Sequence, residues 1–147
     1  MVEMGSDEAP IQQQHRQHML DTMQAALDEM RTAPDPATEA WRKLADLCNY
    51  LETMGALGYA PMDQVNAVTQ PAIHALAQAA ERHQAHGLPL RLDGPGLMDI
   101  TDALQVWEGV LTTITEQAAR HITLATQHRI HLITQGALRP RDLTIAL

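Results

Sequence analysis

Histidine is the residue type in this chain with the clearest potential for metal chemistry. Eight of the 147 residues are histidines, and six of these form H-x-x-H pairs: His15/His18, His83/His86 and His128/His131. Residues three apart share one face of a helix, so each pair offers two imidazoles to Zn, Ni or Cu. The candidate ligands are His83, His86, His128 and His131, but no pair has a third ligand or a general-base glutamate beside it. The sequence therefore predicts no metal site and no cofactor.

His121 and His128 differ from the other histidines because they fall on the packing face of a predicted helix. Their seven-residue spacing corresponds to roughly 10 Å along a helix axis, which is too far for one ion. Each is expected as a buried or half-buried imidazole that donates one ring proton to a carbonyl or a carboxylate. Alternatively, both meet their counterparts in an antiparallel homodimer, and the packing face then responds to pH.

Catalytic motifs are missing from the sequence. A di-metal bundle needs Glu-x-x-His, whereas Glu81 precedes His83 by two residues and Glu116 precedes His121 by five. There is no glycine-rich phosphate loop and no nucleophile motif. The single cysteine, Cys48, excludes an internal disulfide and lies in an apolar helical stripe, which predicts a buried, inert thiol. We expect no catalytic residue, and the chain is not expected to be an enzyme.

Charge and hydropathy exclude further classes. The net charge is −8, and residues 1–116 hold 17 acids and 6 bases. Residues 117–147 hold one acid and four arginines: Arg120, Arg129, Arg139 and Arg141. An acidic chain without interleaved basic and aromatic residues is not expected to bind nucleic acid, although these arginines keep that alternative open. No apolar run is long enough to span a membrane and no leader is visible, so the cytoplasm is the expected compartment.

The longest predicted element covers residues 97–135. Its apolar and amphipathic residues form two seven-residue rows, which we call the seam: Ile100, Trp107, Ile114, His121 and His128, and Leu97, Leu104, Leu111, Ala118, Ala125 and Leu132. Spacings of three and four are typical of an amphipathic helix with a narrow packing face. Gly136 and Pro140 then end it. Trp107 is predicted to be a core residue and not one that stacks on a ligand.

The remaining residues predict an all-α, four-helix, up-and-down bundle in a single domain, 1–147. Ser6 and Asp35-Pro36 provide helix starts, and Pro71 predicts a kink or a break inside the third helix. The expected segments are disordered residues 1–5, helices over about 6–32, 36–56, 61–86 and 97–135, and a tail over 137–147 that is apolar enough to dock back.

The last helix is too long for its bundle. It would measure roughly 58 Å, against about 30–40 Å for the others. Either it bends, with Gly109 as the favoured position, or its far part packs against a second copy. The second case predicts a homodimer that weakens as the pH falls toward about 5, through an interface formed by Ile114, Ala118, His121, Ala125, His128 and Leu132.

The sequence also predicts a rigid loop over 88–96, in which Arg91 and Asp93 either serve recognition or, for Arg91, cap a helix end. Taken together, the sequence predicts a non-enzymatic, helical protein-interaction or regulatory protein whose partners are a second copy and another protein. A histidine-rich bundle that responds to metal or pH is the first alternative. A nucleic-acid-associated regulator that uses the C-terminal arginines is the second.

Overall fold

The structure, a computed structural model, describes the backbone of residues 9–134 and the side chains of 9–132. Five helices occupy this part of the chain: α1 Gln13–Thr32, α2 Thr38–Ala56, α3 Met62–His86, α4 Gly94–Leu111 and α5 Glu116–Thr134. The all-α prediction is confirmed, but four helices was wrong, because the single helix predicted over 97–135 is α4 and α5. Ser6, residues 1–5 and the tail 137–147 lie outside the described residues.

The break between α4 and α5 falls at a threonine-rich connection, residues 112–115. The Thr112 hydroxyl donates to the Gly109 carbonyl oxygen at 2.6 Å. The Thr115 hydroxyl accepts from the backbone N–H of Ala118 at 3.0 Å, as an N-cap does. Threonine hydroxyls compete with the helix for backbone groups, which favours helix ends over helix interiors. The seven-residue spacing predicted one continuous helix and did not indicate these two helix ends. Gly109, the position predicted for a bend, lies inside α4 and not at the break.

Residues 9–12, which we call the N-terminal segment, connect residues 112–115 to the start of α1. The backbone N–H of Glu116 donates to the Ala9 carbonyl oxygen at 3.0 Å, and Pro10 and Thr115 form an isolated antiparallel bridge. The backbone N–H of Gln12 donates to the Glu116 carboxylate at 3.1 Å. Pro10, which falls inside the helix predicted over about 6–32, therefore lies before α1, and that helix begins at Gln13 instead. This pairing gives backbone groups at the break the partners that a continuous helix would have given them.

The predicted starts of α2 and α4 also move, and α4 begins at Gly94 instead of residue 97, inside the loop predicted over 88–96. The N-cap of α2 is Ala37 and not Asp35-Pro36, so the helix begins at Thr38. Helix α3 continues through Pro71 without the break that was one of its two predicted outcomes. It ends at Gly87, whose φ of +65° lies in the left-handed region where glycine carries no Cβ penalty.

The core lies between all five helices and is built mainly from leucine, isoleucine, alanine and methionine. Trp107 is 1% exposed, which confirms its predicted core position. The largest fully buried side chains are Trp107, Leu27, Met30, Leu44, Leu47, Leu51, Met54, Leu76, Ile100, Leu111 and Val65. Methionine has three side-chain torsions and fills irregular space, so such a core adapts more easily than an aromatic one. Within the described residues, no helix is both long enough and apolar enough to cross a membrane.

The seam is buried only up to the start of α5. Ile100, Trp107 and Ile114 are buried, whereas His121 and His128 are exposed. Helix α5 instead packs on the bundle through Ala118, Ala119, Ile122 and Thr126. Because the helix is interrupted at 112–115, the seven-residue spacing no longer keeps the later residues on the core side. The expectation of buried or half-buried imidazoles at these two positions was wrong for the single chain.

Candidate functional site

The two tryptophans occupy different polar environments. Both rings are buried, Trp41 at 2% and Trp107 at 1% exposure. The Trp41 Nε1–H donates to the Leu76 carbonyl oxygen at 3.0 Å. The Trp107 Nε1–H has no hydrogen-bond partner among the described residues. A buried donor without a partner costs about 1–3 kcal/mol, so this N–H requires an explanation.

Trp107 lies beside a cavity of about 190 Å³ between α1, α2, α4 and α5. An engineered apolar cavity of about 150 Å³ is large enough to bind benzene, so this space is sufficient for a ring-sized molecule. The lining residues are mostly apolar: His18, Met19, Thr22, Met23, Tyr50, Met54, Trp107, Leu111, Ile114, Ala119, Ile122 and Thr123.

The polar atoms of the lining include hydrogen-bond donors and acceptors. The Thr22 hydroxyl donates to the His18 carbonyl oxygen at 2.9 Å, and the Thr123 hydroxyl donates to that of Ala119 at 3.1 Å. Each hydroxyl has one hydrogen, so these oxygens offer only lone pairs to the cavity. Burial, together with the nearby carboxylate of Asp46, raises the pKa of Tyr50 and keeps its phenol neutral. Tyr50 therefore keeps an O–H donor, and the Trp107 N–H is the fully buried donor that has no partner among the described residues.

The cavity extends from the surface into the core. Its lining includes the exposed His18 and the buried Trp107. Met19, Met23 and Met54 also line it, and Met19 is partly exposed. Since Trp107 is almost inaccessible, a ligand atom reaches Nε1 only if a side chain of the wall moves, and methionine is the lining residue type that moves at the lowest cost.

A buried pair of hydroxyls holds α5 against α2. Thr126 Oγ1 lies 2.7 Å from Thr53 Oγ1 and 2.7 Å from the Ile122 carbonyl oxygen. Thr53 Oγ1 lies 2.9 Å from the Asn49 carbonyl oxygen. Each hydroxyl has one hydrogen, so one of the two hydroxyls donates to the other across the helices and the second donates to the carbonyl oxygen of its own helix. The hydrogen bond between α2 and α5 forms whichever hydroxyl is the donor. This contact fixes one wall of the cavity to the rest of the bundle.

The other surface of α5 carries most of the predicted interface. Its outer face, as we call it, consists of His121, Leu124, Ala125, His128 and Leu132. Leu124 is 66% exposed, both histidines are exposed, and Ala125 and Leu132 are partly buried. The remaining predicted interface residues, Ile114 and Ala118, are buried against their own chain. His121 Nδ1 lies 3.2 Å from the Tyr59 hydroxyl, with the two rings edge to face.

A groove separates this surface from α1. It has a volume of about 340 Å³ and is lined by His15, Met19, Ala119, Arg120, Thr123 and Leu124. At its end, His15 Nδ1 lies 3.2 Å from the Glu116 carboxylate. Burial alone would raise the pKa of Glu116, but the hydrogen bonds from Gln12 and His15 outweigh it and the pKa is lowered. Glu116 is thus held as a carboxylate that joins α5 to the N-terminal segment.

The candidate metal ligands are separated into two places. His83 and His86 are exposed at the end of α3, and His128 and His131 are exposed on α5. The His83 Nδ1–H donates to the Leu88 carbonyl oxygen at 2.7 Å, which satisfies a group just past the helix end. Among the described residues, no group of three or more His, Cys, Asp or Glu side chains has a geometry that could hold a metal ion.

Both charged residues of the loop 88–96 make structural contacts. The Arg91 guanidinium donates to the Arg31 carbonyl oxygen at 3.3 Å, at the last turn of α1. Asp93 accepts from the backbone N–H of Gly96 at 2.7 Å and caps α4. A Cβ at Gly96 would lie 3.2 Å from the Ala75 Cβ, so glycine allows this capped turn to approach α3 closely. These contacts match the helix-end alternative for Arg91, and a recognition role stays a prediction.

Cys48 is fully buried, as the sequence predicts. Burial, with a smaller effect of the Glu52 carboxylate, raises the pKa of the Cys48 thiol to about 12. The thiol is therefore protonated at neutral pH and is a poor nucleophile, because the thiolate is the reactive form.

Sequence reasoning did not identify the cavity. The tryptophan, methionines and threonines that line it come from four helices and share no spacing that a motif search detects. Comparison of the chain with protein-family models, with curated proteins and with solved structures gives no match in any of the three. Function must therefore be argued from the geometry of this site and of the α5 surface.

Proposed function

We propose that this chain is a non-enzymatic regulatory or adaptor protein that acts through protein contacts made by the outer face of α5. The observation that carries the proposal is the exposure of Leu124, which reaches 66% on a helix whose opposite side is buried against the bundle. The groove toward α1 adds the apolar side chains of Met19 and Ala119 beside it. An exposed apolar residue at the edge of a groove is a favourable anchor for a partner.

The roles of the other reactive groups support a non-catalytic function. Asp93 caps a helix, Arg91 satisfies a helix carbonyl, and Glu116 joins two segments. Cys48 is a buried thiol. Catalysis requires several polar groups that converge on one reacting atom, whereas these groups stabilise separate parts of the bundle. A lone reduced cysteine is also usual for the cytoplasm, which we propose as the compartment.

A second copy of the chain is the proposed first partner. Leu124, Ala125 and Leu132 supply apolar contact area along α5, and the small side chain of Ala125 favours close helix approach. Ile114 and Ala118 are covered by their own chain, so they support this surface from beneath. A specific dimer buries about 1,200 Å² or more in total, which requires the groove residues as well as α5. Regulation of another protein would then depend on the dimer.

Two matched variants test this proposal. Leu124→Asp places a charge on the outer face of α5, while Met98→Asp alters an equally exposed residue, 62% exposed, on α4. We expect sedimentation at micromolar concentration to give a dimer for the parent and for Met98→Asp, and a monomer for Leu124→Asp. The same pair, used in affinity capture, should lose partners only with Leu124→Asp. A monomeric parent would contradict the proposed dimer. Identical behaviour of the two variants would show that the outer face of α5 is not the contact surface.

The exposure of His121 and His128 on the same face favours one second candidate, a bundle that responds to pH or metal. Imidazoles change charge between about pH 5 and pH 8, so charging both on each copy would weaken a dimer in which they meet. Sedimentation at pH 7.5 and pH 5 tests this, with His121→Gln/His128→Gln as the insensitive control. A thermal shift on addition of Zn or Ni that this double variant lacks would favour metal instead.

A further inference from the structure

The cavity beside Trp107 has three properties that together indicate a ligand site. Its volume of about 190 Å³ suits a small ring or a short branched chain. Its lining includes both an exposed residue, His18, and a buried one, Trp107, so the cavity is not sealed within the core. Trp107 also carries a buried N–H donor that has no partner among the described residues.

We propose that this cavity binds a small, neutral, mainly apolar molecule whose carbonyl oxygen accepts a hydrogen bond from the Trp107 Nε1–H. The other polar groups at the wall do not replace this acceptor. Thr22 and Thr123 donate to their own helices, and no described group, the Tyr50 hydroxyl included, is a hydrogen-bond partner of Nε1. A ligand carbonyl would satisfy the donor, while its apolar body would contact Met23, Leu111 and Ile122.

The chemistry of the lining selects a neutral ligand over a charged one. No lysine, arginine or carboxylate is among the lining residues, and the one imidazole, His18, is exposed. Placing a carboxylate beside a single indole N–H would leave most of its lost hydration uncompensated. A ketone, aldehyde, ester or lactone loses much less hydration and presents the required acceptor.

Binding requires an adjustment that the methionines can make. Trp107 is 1% exposed, so the final approach to Nε1 needs displacement of a side chain at the wall. Met54 and Met23 are buried cavity residues of this kind. Their methyl groups are therefore reporters of binding that do not depend on any biological activity.

The isosteric pair acetophenone and α-methylstyrene tests the proposal, because the two differ by a carbonyl oxygen in place of a methylene group. Affinities can be measured by titration of the ¹³C-methyl resonances of Met23 and Met54. One neutral hydrogen bond is worth about 1 kcal/mol, so we expect the parent to bind the ketone at least about five-fold more tightly than the alkene. Trp107→Phe, which keeps a ring but removes the donor, should bind both equally. Trp41→Phe should keep the five-fold preference.

A variant that fills the cavity covers the case in which Trp107→Phe does not fold. Thr22→Leu adds volume at a lining position that is not part of the groove beside Leu124, and it should abolish binding of both compounds. Failure of both compounds to bind the parent overturns the ligand site, as does equal affinity of the parent for the two. Neither outcome affects the α5 contact surface, which is tested by Leu124→Asp.

Discussion

The region around Trp41 and the region around Trp107 use the same residue in opposite ways. Trp41 packs between α2 and α3 and gives its N–H to a carbonyl on the neighbouring helix. Trp107 has an equally buried ring but no acceptor among the described residues, and a cavity lies next to it. The Trp41 region thus behaves as a completed core, whereas the Trp107 region keeps space and a donor available. Burial alone therefore does not distinguish a tryptophan whose N–H is satisfied from one whose N–H is not.

The largest effect expected from this comparison concerns the rings themselves. Trp41→Ala and Trp107→Ala should each lower the free energy of unfolding by about 3–5 kcal/mol, because both rings are buried. Chemical denaturation of the two variants beside the parent measures this. A Trp107→Ala variant that melts within a degree or two of the parent would show that Trp107 is not part of the core.

The donor groups should separate the two regions by a smaller amount. Trp41→Phe loses a hydrogen bond, whereas Trp107→Phe removes an N–H that makes no hydrogen bond. We therefore expect Trp41→Phe to be more destabilising than Trp107→Phe by about 1–3 kcal/mol. Denaturant midpoints with equal m-values give this difference directly. Equal losses would mean that the Trp107 N–H is satisfied in solution, and the comparison would fail.

The hydroxyl pair that holds the cavity wall predicts a measurable coupling. In a double-mutant cycle, Thr53→Val and Thr126→Val should couple by about 0.5–1.5 kcal/mol, because one hydrogen bond joins the two side chains. Thr123→Val is the matched control, since its hydroxyl bonds only to its own helix. Thr53→Val combined with Thr123→Val should be additive. A coupling energy no larger than in this control would show that the Thr53–Thr126 hydrogen bond does not hold α5 against α2.

The smallest effect is expected at Glu116. Its pKa is lowered in the folded protein, so its carboxylate stabilises the fold at neutral pH and loses this effect as the pH falls through its folded pKa. Because the site is partly solvated, Glu116→Gln should cost no more than about 1 kcal/mol. Melting curves from neutral pH to below the ordinary value of 4.5 should show the variant and the parent converging. Glu108→Gln, exposed on α4, is the control and should show no such convergence.

Sequence periodicity was sufficient for the helical class and for the core position of Trp107. It failed at residues 112–115, where threonine hydroxyls and the N-terminal segment compete with the helix for backbone groups. It also failed for His121 and His128, because a seven-residue spacing has no meaning across a break. The cavity could not be predicted, since it depends on how side chains from four helices meet and on which polar atoms find partners. Both are properties of tertiary packing and not of spacing.

The central claim is that Trp107 has a buried donor available to a ligand and that Trp41 does not. The two indole N–H resonances in a ¹H–¹⁵N spectrum test it most directly, with Trp41→Phe and Trp107→Phe to assign them. On addition of acetophenone, we predict that the Trp107 resonance moves downfield as a hydrogen bond forms, while the Trp41 resonance stays in place. α-Methylstyrene should produce no such downfield movement. An unmoved Trp107 resonance at a saturating concentration of the ketone, or equal movement of both resonances, would contradict the claim.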